Sequence, residues 1–355
     1  MSAGRIGVVL PSRESFTLTK SGAVALCARD FANHSRFRDR IVIMGAATCE
    51  YPDVRYLKFA GWRRWWRRAR TAYMIAVADA ARAQGCAALE IQNRPYMIGP
   101  LRRRLPGVKL ALYLLNDPQE MAASRTAVKR RRLLEAADAV WCISEWVRAR
   151  FLEGVDDPKR RVTVIYPGVQ VEAPAAAKER IVAFVGRVIP DKGVAELAQA
   201  FALAAPHMPG WRLIVAGADP SGLLSPWRER LGERLECRGQ VSHAQALALF
   251  ARAEIAAVPS VWREPFGRTA IEALASGCAL ITSGRGGLAE IAEGAAEIVA
   301  PEDAQAFAEA LKRLAADPSR REALRKAGLA RVGARFDIGE ATERLDGERA
   351  RLIGA

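Results

Sequence analysis

Short apolar runs alternate with longer segments of helical periodicity along the 355 residues of the chain. This alternation is typical of βαβ units, in which buried parallel strands are joined by crossover helices. It predicts an α/β fold with six strands in each half, at 5–11, 40–45, 88–93, 109–116, 139–144 and 162–168, and at 180–187, 212–217, 235–239, 254–260, 278–283 and 296–300.

Helical periodicity fills the segments between these strands. Helices are predicted at 21–33, 62–84, 128–136 and 145–153, near the starts Lys192, His243, Gly267 and Leu288, and from Glu302 to the end of the chain, the last of them at about 338–352. Residues 168–180 are rich in Ala and Pro without an apolar period, which indicates a linker. We therefore expect two doubly wound domains, 1–168 and 169–337, facing a ligand cleft, with a C-terminal helix at about 338–355 packing back on the first.

The charge of the chain is divided unevenly between its halves. Residues 1–170 hold 30 Lys and Arg against 15 Asp and Glu, whereas residues 171–355 hold 24 of each, so the whole net charge of +15 lies in the first half. Such asymmetry indicates an anionic partner for that half, either a nucleic acid or a membrane surface.

Two features of the chain predict a cytoplasmic location. No uncharged apolar run approaches the length of about 20 residues needed to span a membrane, and the N-terminus shows no secretory pattern. The six cysteines are scattered without metal-like spacing, as expected of reduced, buried thiols.

The segment 258–291 carries the most informative chemistry. A predicted strand ends in "VPS", a loop carries Glu264, and "PFG" opens a helix that contains Glu272. Free amides at a helix N-terminus favour an anion, so the amides around Gly267 and the two carboxylates could bind a phosphate and neighbouring hydroxyls. An isolated pair of glutamates would more simply be two surface acids.

The stretch "EPFGRTAIEALASG", 264–277, resembles the E-x7-E signature of retaining glycosyltransferase family 4, whose GT-B fold has two Rossmann-like domains facing a central cleft. The resemblance implies that Glu272 binds the ribose of a nucleotide sugar and that Glu264 binds the transferred sugar. It also implies that the loop between them meets the diphosphate, which adds three donor-binding residues: Pro265, Phe266 and Arg268, beside Gly267.

A second stretch, "FVGRVIPDKGVAELAQAF" at 184–201, matches the "GR…KG" pattern of the same family. The resemblance places Gly186, Arg187 and Lys192 in the donor site, where the two cations would stabilise a departing diphosphate. Arg187, Lys192 and Glu264 are therefore candidate catalytic residues. The sequence contains no D-x-D motif, so we expect transfer without a metal or another cofactor.

The first half departs from the family pattern at two places. In "LTKSGAV", Gly22 keeps the role of a phosphate-binding glycine, while Ser21 replaces a second glycine. The histidine that many relatives carry after the strand 109–116 is missing, and Asn116 and Asp117 stand there instead.

We expect Asn116 and Asp117 to line the acceptor side and to be candidate catalytic residues, with Asn93 and Arg94 nearby. The alternative is that "NDP" only caps a turn. The three histidines, His34, His207 and His243, are interpreted as structural or solvated.

The segment "GWRRWWRRAR", 61–70, would form an amphipathic helix. Its apolar face holds Trp62, Trp65 and Trp66, and its basic face holds Arg63, Arg64, Arg67 and Arg68. The tryptophans could pack on the sheet and leave solvated arginines, or the segment could contact an anionic membrane. Other basic runs, at 102–104, 129–132 and 159–161, favour the second interpretation.

The family resemblance implies a retaining, metal-independent hexosyltransferase that uses a nucleotide-diphosphate sugar. Its acceptor would be a glycan or a lipid-linked glycan in bacterial lipopolysaccharide or exopolysaccharide synthesis, at the inner face of the cell membrane. A nucleotide-sugar 2-epimerase, a catalytically weak nucleotide-sugar-binding subunit and a basic nucleic-acid-binding protein remain alternatives. No nucleic-acid module is recognisable, so no nucleic-acid partner is expected. The nucleotide base, the sugar, the linkage and the oligomeric state stay open.

Overall fold

The computed structural model describes residues 4–60, 69–171 and 177–354. The chain divides into two compact units, the first comprising residues 1–168 with 338–355 and the second residues 169–337. The division at 168/169 falls at the start of the predicted linker, of which residues 172–176 lie outside the described part.

The first unit contains a parallel sheet of seven strands in the order β3-β2-β1-β4-β5-β6-β7. Its strands are β1 Arg5–Val9, β2 Ile41–Gly45, β3 Tyr56–Lys58, β4 Cys86–Gln92, β5 Lys109–Leu114, β6 Ala139–Cys142 and β7 Val162–Val164. Its helices are α1 Ala23–His34, α2 Ala69–Ala83, α3 Ile98–Arg104, α4 Ala127–Ala136, α5 Glu145–Leu152 and, from the C-terminal segment, α13 Ile338–Ile353.

The second unit contains a parallel sheet of six strands in the order β10-β9-β8-β11-β12-β13. Its strands are β8 Glu179–Val185, β9 Arg212–Ala216, β10 Leu235–Gly239, β11 Ala253–Val258, β12 Ala279–Thr282 and β13 Ala296–Ile298. Its helices are α6 Val194–Ala204, α7 Ser225–Leu231, α8 His243–Arg252, α9 Arg268–Ala275, α10 Leu288–Ala292, α11 Ala304–Ala316 and α12 Pro318–Arg335.

Both strand orders are those of the doubly wound α/β fold, so the predicted fold class is confirmed. Every strand predicted from the sequence is present, and three further elements, β3, α3 and α7, are new. The apolar pattern did not reveal them because β3 and α7 bury none of their residues and α3 buries only Ile98 and Leu101. An element without a buried apolar stripe has no periodicity that distinguishes it from a loop.

The central strands are mostly apolar because helices cover both faces of each sheet. In the second unit, Val182 and Phe184 of β8 pack with Ile255 of β11 and with Leu197 and Phe201 of α6. In the first unit, a matching cluster forms around Ile6 and Val8 of β1. These buried strands hold the loops that follow them in fixed positions.

Buried charged residues hold α13 against β4 and the end of α1 in the first unit. Arg349, 1% exposed, forms a bidentate ion pair with Glu90 of β4, at 2.7 and 3.1 Å, and contacts Asp346 at 3.0 Å. Asp346 in turn accepts a hydrogen bond from the Ser35 hydroxyl at 2.6 Å. Because buried charges are tolerated only when paired, this network requires the helix to be in place.

Candidate functional site

Two loops of the second unit meet where its strand order reverses. The strands β8 and β11 lie side by side at the centre of the sheet, and the chain continues from them toward opposite edges. At such a point the loops that leave the carboxyl ends of the strands form a binding crevice. The loop after β8 carries Arg187 and Lys192, and the loop after β11 carries Glu264. The topology therefore brings together residues that lie more than 70 positions apart in sequence.

Lys192 and Glu264 form the centre of this site. The Lys192 ammonium lies 2.5 Å from Oε1 of Glu264, and the Ser260 hydroxyl donates to the same oxygen at 2.6 Å. The Lys192 ammonium also lies 5.3 Å from the centroid of the Trp262 ring. The two charged side chains are 21% and 10% exposed. A partly desolvated carboxylate is thus fixed by one cation and one hydroxyl.

Close backbone approach around this pair depends on two glycines. Gly193 has φ +66°, and a Cβ there would lie 2.0 Å from the carbonyl oxygen of Pro259. Gly286 also has φ +66°, and its Cβ would lie 2.3 Å from the carbonyl oxygen of Glu264. A side chain at either position would force the backbone apart. The loops after β8 and β12 can therefore pack directly against the loop that carries Glu264.

The helix α9 begins directly behind Glu264. Its N-cap, Gly267, has φ +122°, and a Cβ there would meet Leu288 at 2.4 Å. The Phe266 side chain is 2% exposed and packs on the Phe336 ring, with 5.6 Å between the centroids. Since the first turn of a helix lacks intrahelical acceptors for its amides, this N-terminus favours a negatively charged group.

Glu272 lies inside α9 and is 4% exposed. Its Oε1 accepts from Nε of Arg268 at 2.7 Å and lies 2.8 Å from Nε2 of His243. Burial raises the pKa of the Glu272 carboxyl, but the charge of Arg268 and the hydrogen bond from His243 outweigh burial and hold that pKa below its ordinary value. The carboxylate is therefore ionised and able to accept hydrogen bonds from hydroxyl groups.

Of the three histidines, which were interpreted as structural or solvated, His243 is the one that contacts a predicted donor-site residue. It contacts Glu272, whereas the other two lie on the surface, at His34 and His207. A sequence signal was present, because His243 follows Ser242 in a Ser-x-x-Gln capping pattern just after a predicted strand. That pattern places the side chain at the carboxyl edge of the sheet.

Arg187 occupies a different position from Lys192. It is exposed at the end of β8, and within the described residues its guanidinium contacts no acidic side chain. Gly186 before it packs tightly, since a Cβ on Gly217 would lie 1.7 Å from the Gly186 carbonyl oxygen. Arg187 thus presents its charge to solvent at the same edge of the sheet.

In the first unit, Asp117 has the turn-capping geometry that was the alternative interpretation. It is 4% exposed, accepts from the Gln119 amide at 2.8 Å and pairs with Nε of Arg150 at 3.0 Å. Asn116 beside it is exposed. Because both oxygens of Asp117 are engaged, its role at an acceptor remains a prediction, whereas Asn116 is accessible.

The other residues predicted in the first unit lie directly after β4 and at the start of α1. Asn93, 4% exposed with φ +55°, accepts from the Leu115 amide at 3.2 Å, so its carboxamide supports the backbone. Arg94 donates to the Asn93 carbonyl at 2.7 Å. Gly22 is the N-cap of α1, and a Cβ there would lie 2.5 Å from the Glu14 carboxylate. An acidic side chain therefore already lies at this helix N-terminus.

The basic runs of the first unit contain two kinds of cation, those with structural contacts and those exposed to solvent. Arg130 is 3% exposed and donates to backbone carbonyls, including that of Phe151 at 2.7 Å, and Arg102 pairs with Asp138. Arg161 is half-buried and donates to the Ala137 carbonyl at 2.9 Å. The remaining cations are exposed: Arg103, Arg104, Lys129, Arg131, Arg132, Lys159 and Arg160. The predicted contact residues of the tryptophan segment lie outside the described residues: Trp62, Arg63, Arg64, Trp65, Trp66, Arg67 and Arg68.

Known proteins resemble part of this chain in sequence. Residues 170–331 match the family model "Glycosyl transferases group 1". The chain is 35% identical over 229 residues to the D-inositol 3-phosphate glycosyltransferases of Mycobacterium bovis and Mycobacterium tuberculosis. These matches place residues 170–331 in the group 1 glycosyltransferase family. The alignment covers 57% of this chain and 46% of those relatives, so the chain spans about half the length of the curated relatives it matches.

Solved structures share the fold of the whole chain. The Anabaena protein HepE, crystallised with UDP and glucose, superposes with a TM-score of 0.80 at 19% identity, over 98% of this chain and 99% of that one. The sucrose-phosphate synthase of Thermosynechococcus elongatus gives 0.79 at 21% identity, over 99% of both chains. These likenesses support the predicted GT-B fold class. Among the described helices, none is both long and apolar enough to cross a membrane.

Proposed function

We propose that the protein is a retaining glycosyltransferase that moves a hexosyl unit from a nucleotide-diphosphate sugar to a hydroxyl of a glycan or lipid-linked acceptor. The observation that carries this proposal is the joining of Lys192, Ser260 and Glu264 at the switch point of the second sheet, with ionised Glu272 on the adjacent helix. The cations and the helix N-terminus suit a diphosphate, and the two fixed carboxylates suit the hydroxyls of the sugars on either side of it.

Each group has a role in the proposed reaction. The bond between C1 of the sugar and the diphosphate oxygen breaks, while the acceptor oxygen bonds to C1 on the same face. The acceptor proton passes to the departing diphosphate, so no strong protein base is required. Lys192, exposed Arg187 and the amides at the start of α9 stabilise the negative charge that grows on the leaving group. Glu264 orients the transferred sugar, and Glu272 orients the ribose.

Transfer without a metal is part of this proposal. Lys192 and Arg187 lie at the carboxyl edge of the sheet where the diphosphate would bind, so fixed cations can supply the charge that a divalent ion supplies in other transferases. We therefore expect sugar transfer to persist in the presence of a metal chelator.

Nucleotide binding is expected to stabilise the protein. UDP, GDP, ADP and their sugar conjugates are tested by differential scanning fluorimetry, and a ligand at 100 times its dissociation constant should add about 2.7 kcal/mol. Glu272→Ala is expected to lose most of this stabilisation relative to its own unliganded state, because the carboxylate at the ribose is missing. Glu309→Ala, which removes an exposed glutamate of α11 paired with Lys312, is the matched control and should respond like wild type.

The outcomes separate the competing functions. Stabilisation by a nucleotide together with sugar transfer to an acceptor supports the proposal. Binding without transfer or hydrolysis of any donor would favour a nucleotide-sugar-binding subunit, and conversion of the donor sugar without an acceptor would favour an epimerase. No response to any nucleotide contradicts the proposal.

For the acceptor side, we propose contact with an anionic membrane or a phosphorylated lipid at the inner face of the cell membrane, in surface-polysaccharide synthesis. Support comes from the first half of the chain, which holds the entire net positive charge. Exposed cations on α3 and α4, such as Arg104 and Arg131, form part of that charge. Each cation near an anionic lipid surface contributes about 1 kcal/mol.

Vesicle flotation should detect this contact. The protein is expected to float with phosphatidylglycerol vesicles at low salt and to be released by salt, whereas phosphatidylcholine vesicles should not bind it. The double variant Arg131→Glu with Arg132→Glu should bind less. The matched variant Arg313→Glu with Lys326→Glu, with the same charge change on exposed positions of the second unit, should bind like wild type. Equal loss in both variants would show a net-charge effect without a docking face.

A further inference from the structure

The helix α8 places an imidazole against the carboxylate of Glu272. His243 is the first residue of α8, and the helix start is fixed by reciprocal hydrogen bonds between Ser242 and Gln245, at 2.8 and 3.2 Å. From there Nε2 of His243 reaches Oε1 of Glu272 at 2.8 Å. The imidazole is 27% exposed, whereas the Glu272 side chain is 5% exposed. A carboxylate on one helix is thus held by a side chain from another.

The contact between His243 and Glu272 determines which atom carries the hydrogen of the hydrogen bond. An ionised carboxylate only accepts hydrogen bonds, so Nε2 of His243 must carry the hydrogen. Both the neutral imidazole protonated at Nε2 and the imidazolium satisfy this condition. The hydrogen bond therefore persists whether or not the imidazole is protonated.

Both donors act on the same oxygen of Glu272. Arg268 and His243 contact Oε1, and within the described residues no donor reaches Oε2. Arg268 lies one turn earlier on α9, so its contact with Glu272 is made within that helix. His243 supplies the fixed point, because it belongs to a different helix that packs on α9.

We propose that His243 is a positioning residue for Glu272, which it orients so that Oε2 faces the ribose hydroxyls of the nucleotide. This inference rests on the proposed function, and it adds a residue from outside the E-x7-E segment to the donor site. A glutamate has three side-chain torsions, and fixing them before the ligand arrives removes an entropy cost from binding. The consequence is selectivity for a ribonucleotide over a deoxyribonucleotide.

The test measures dissociation constants by calorimetry for the nucleoside diphosphate that binds wild type and for its 2′-deoxy and 3′-deoxy analogues. Wild type is expected to prefer the ribonucleotide about 10- to 100-fold over at least one analogue, since a hydrogen bond to a charged acceptor is lost. His243→Ala should weaken ribonucleotide binding about 5- to 10-fold and leave deoxynucleotide binding nearly unchanged. In turnover, KM for the donor should rise while kcat changes little.

Two variants separate positioning from folding. His243→Gln keeps an N–H donor on a side chain of similar reach and is expected to restore most of the preference for the ribonucleotide. Gln245→Ala removes a capping contact at the same helix end without touching Glu272, and it should retain the preference of wild type. Unchanged selectivity in His243→Ala, or equal losses in His243→Ala and Gln245→Ala, overturns the inference while leaving the proposed function intact. A wild type that binds no nucleotide overturns both.

Discussion

Replacing Lys192 with alanine is expected to lower kcat for sugar transfer about 100- to 1,000-fold, the usual effect of removing one fixed group that stabilises a developing charge. The Lys192 side chain is 21% exposed and its ammonium lies 2.5 Å from Glu264, so the charge acts in a partly desolvated environment where its field is strong. The variant also leaves Glu264 with Ser260 as its remaining partner, which loosens the group expected to orient the sugar. Steady-state kinetics with saturating donor and acceptor measures the effect.

The control for this variant is another lysine that pairs with a glutamate. Lys312→Ala on α11 removes an ammonium that lies 2.7 Å from Glu309, remote in sequence from the switch-point loops. Its kcat should equal that of wild type. If Lys192→Ala retained kcat within a few-fold and bound donor normally, the assignment of Lys192 to the leaving group would be wrong.

Replacing Arg349 with alanine is expected to lower the free energy of unfolding of the first unit by about 3–5 kcal/mol. The substitution leaves Glu90 and Asp346, 2% and 3% exposed, without the cation that neutralises them. Removing one member of a buried ion pair is costly because the other charge stays buried and unpaired. Urea unfolding measures the loss, and hydrogen exchange of the β4 amides assigns it to the first unit.

Two further variants test the cause of this loss. Arg351→Ala removes a neighbouring arginine of α13 that is 69% exposed, and it should change stability by less than about 1 kcal/mol. Arg349→Met combined with Glu90→Gln removes both charges of the bidentate pair, so it should be more stable than Arg349→Ala. A small effect of Arg349→Ala would show that α13 is held mainly by apolar contacts.

The candidate site divides into parts that the sequence could and could not predict. Glu264 and Lys192 were identified from local motifs, yet their ion pair was not, because the two residues come from different βα loops. His243 was interpreted as structural or solvated, because its contact with Glu272, 29 residues away on another helix, cannot be seen in the sequence. Asp117 was predicted as an acceptor-side residue with turn capping as the alternative, because a loop position after a strand suits both roles. Its contacts with the Gln119 amide and Arg150 became visible only in the folded chain.

The sequence by itself determined the order and type of the main elements, because apolar periodicity and turn residues are local properties of the chain. It also supplied the glycines at 193, 267 and 286, which permit the positive φ angles that these loops adopt. The tertiary structure decided which charges meet: Arg349 with Glu90, Lys192 with Glu264 and His243 with Glu272. Ion pairs depend on distance in space and on burial, which follow from the packing of strands and helices far apart in the chain.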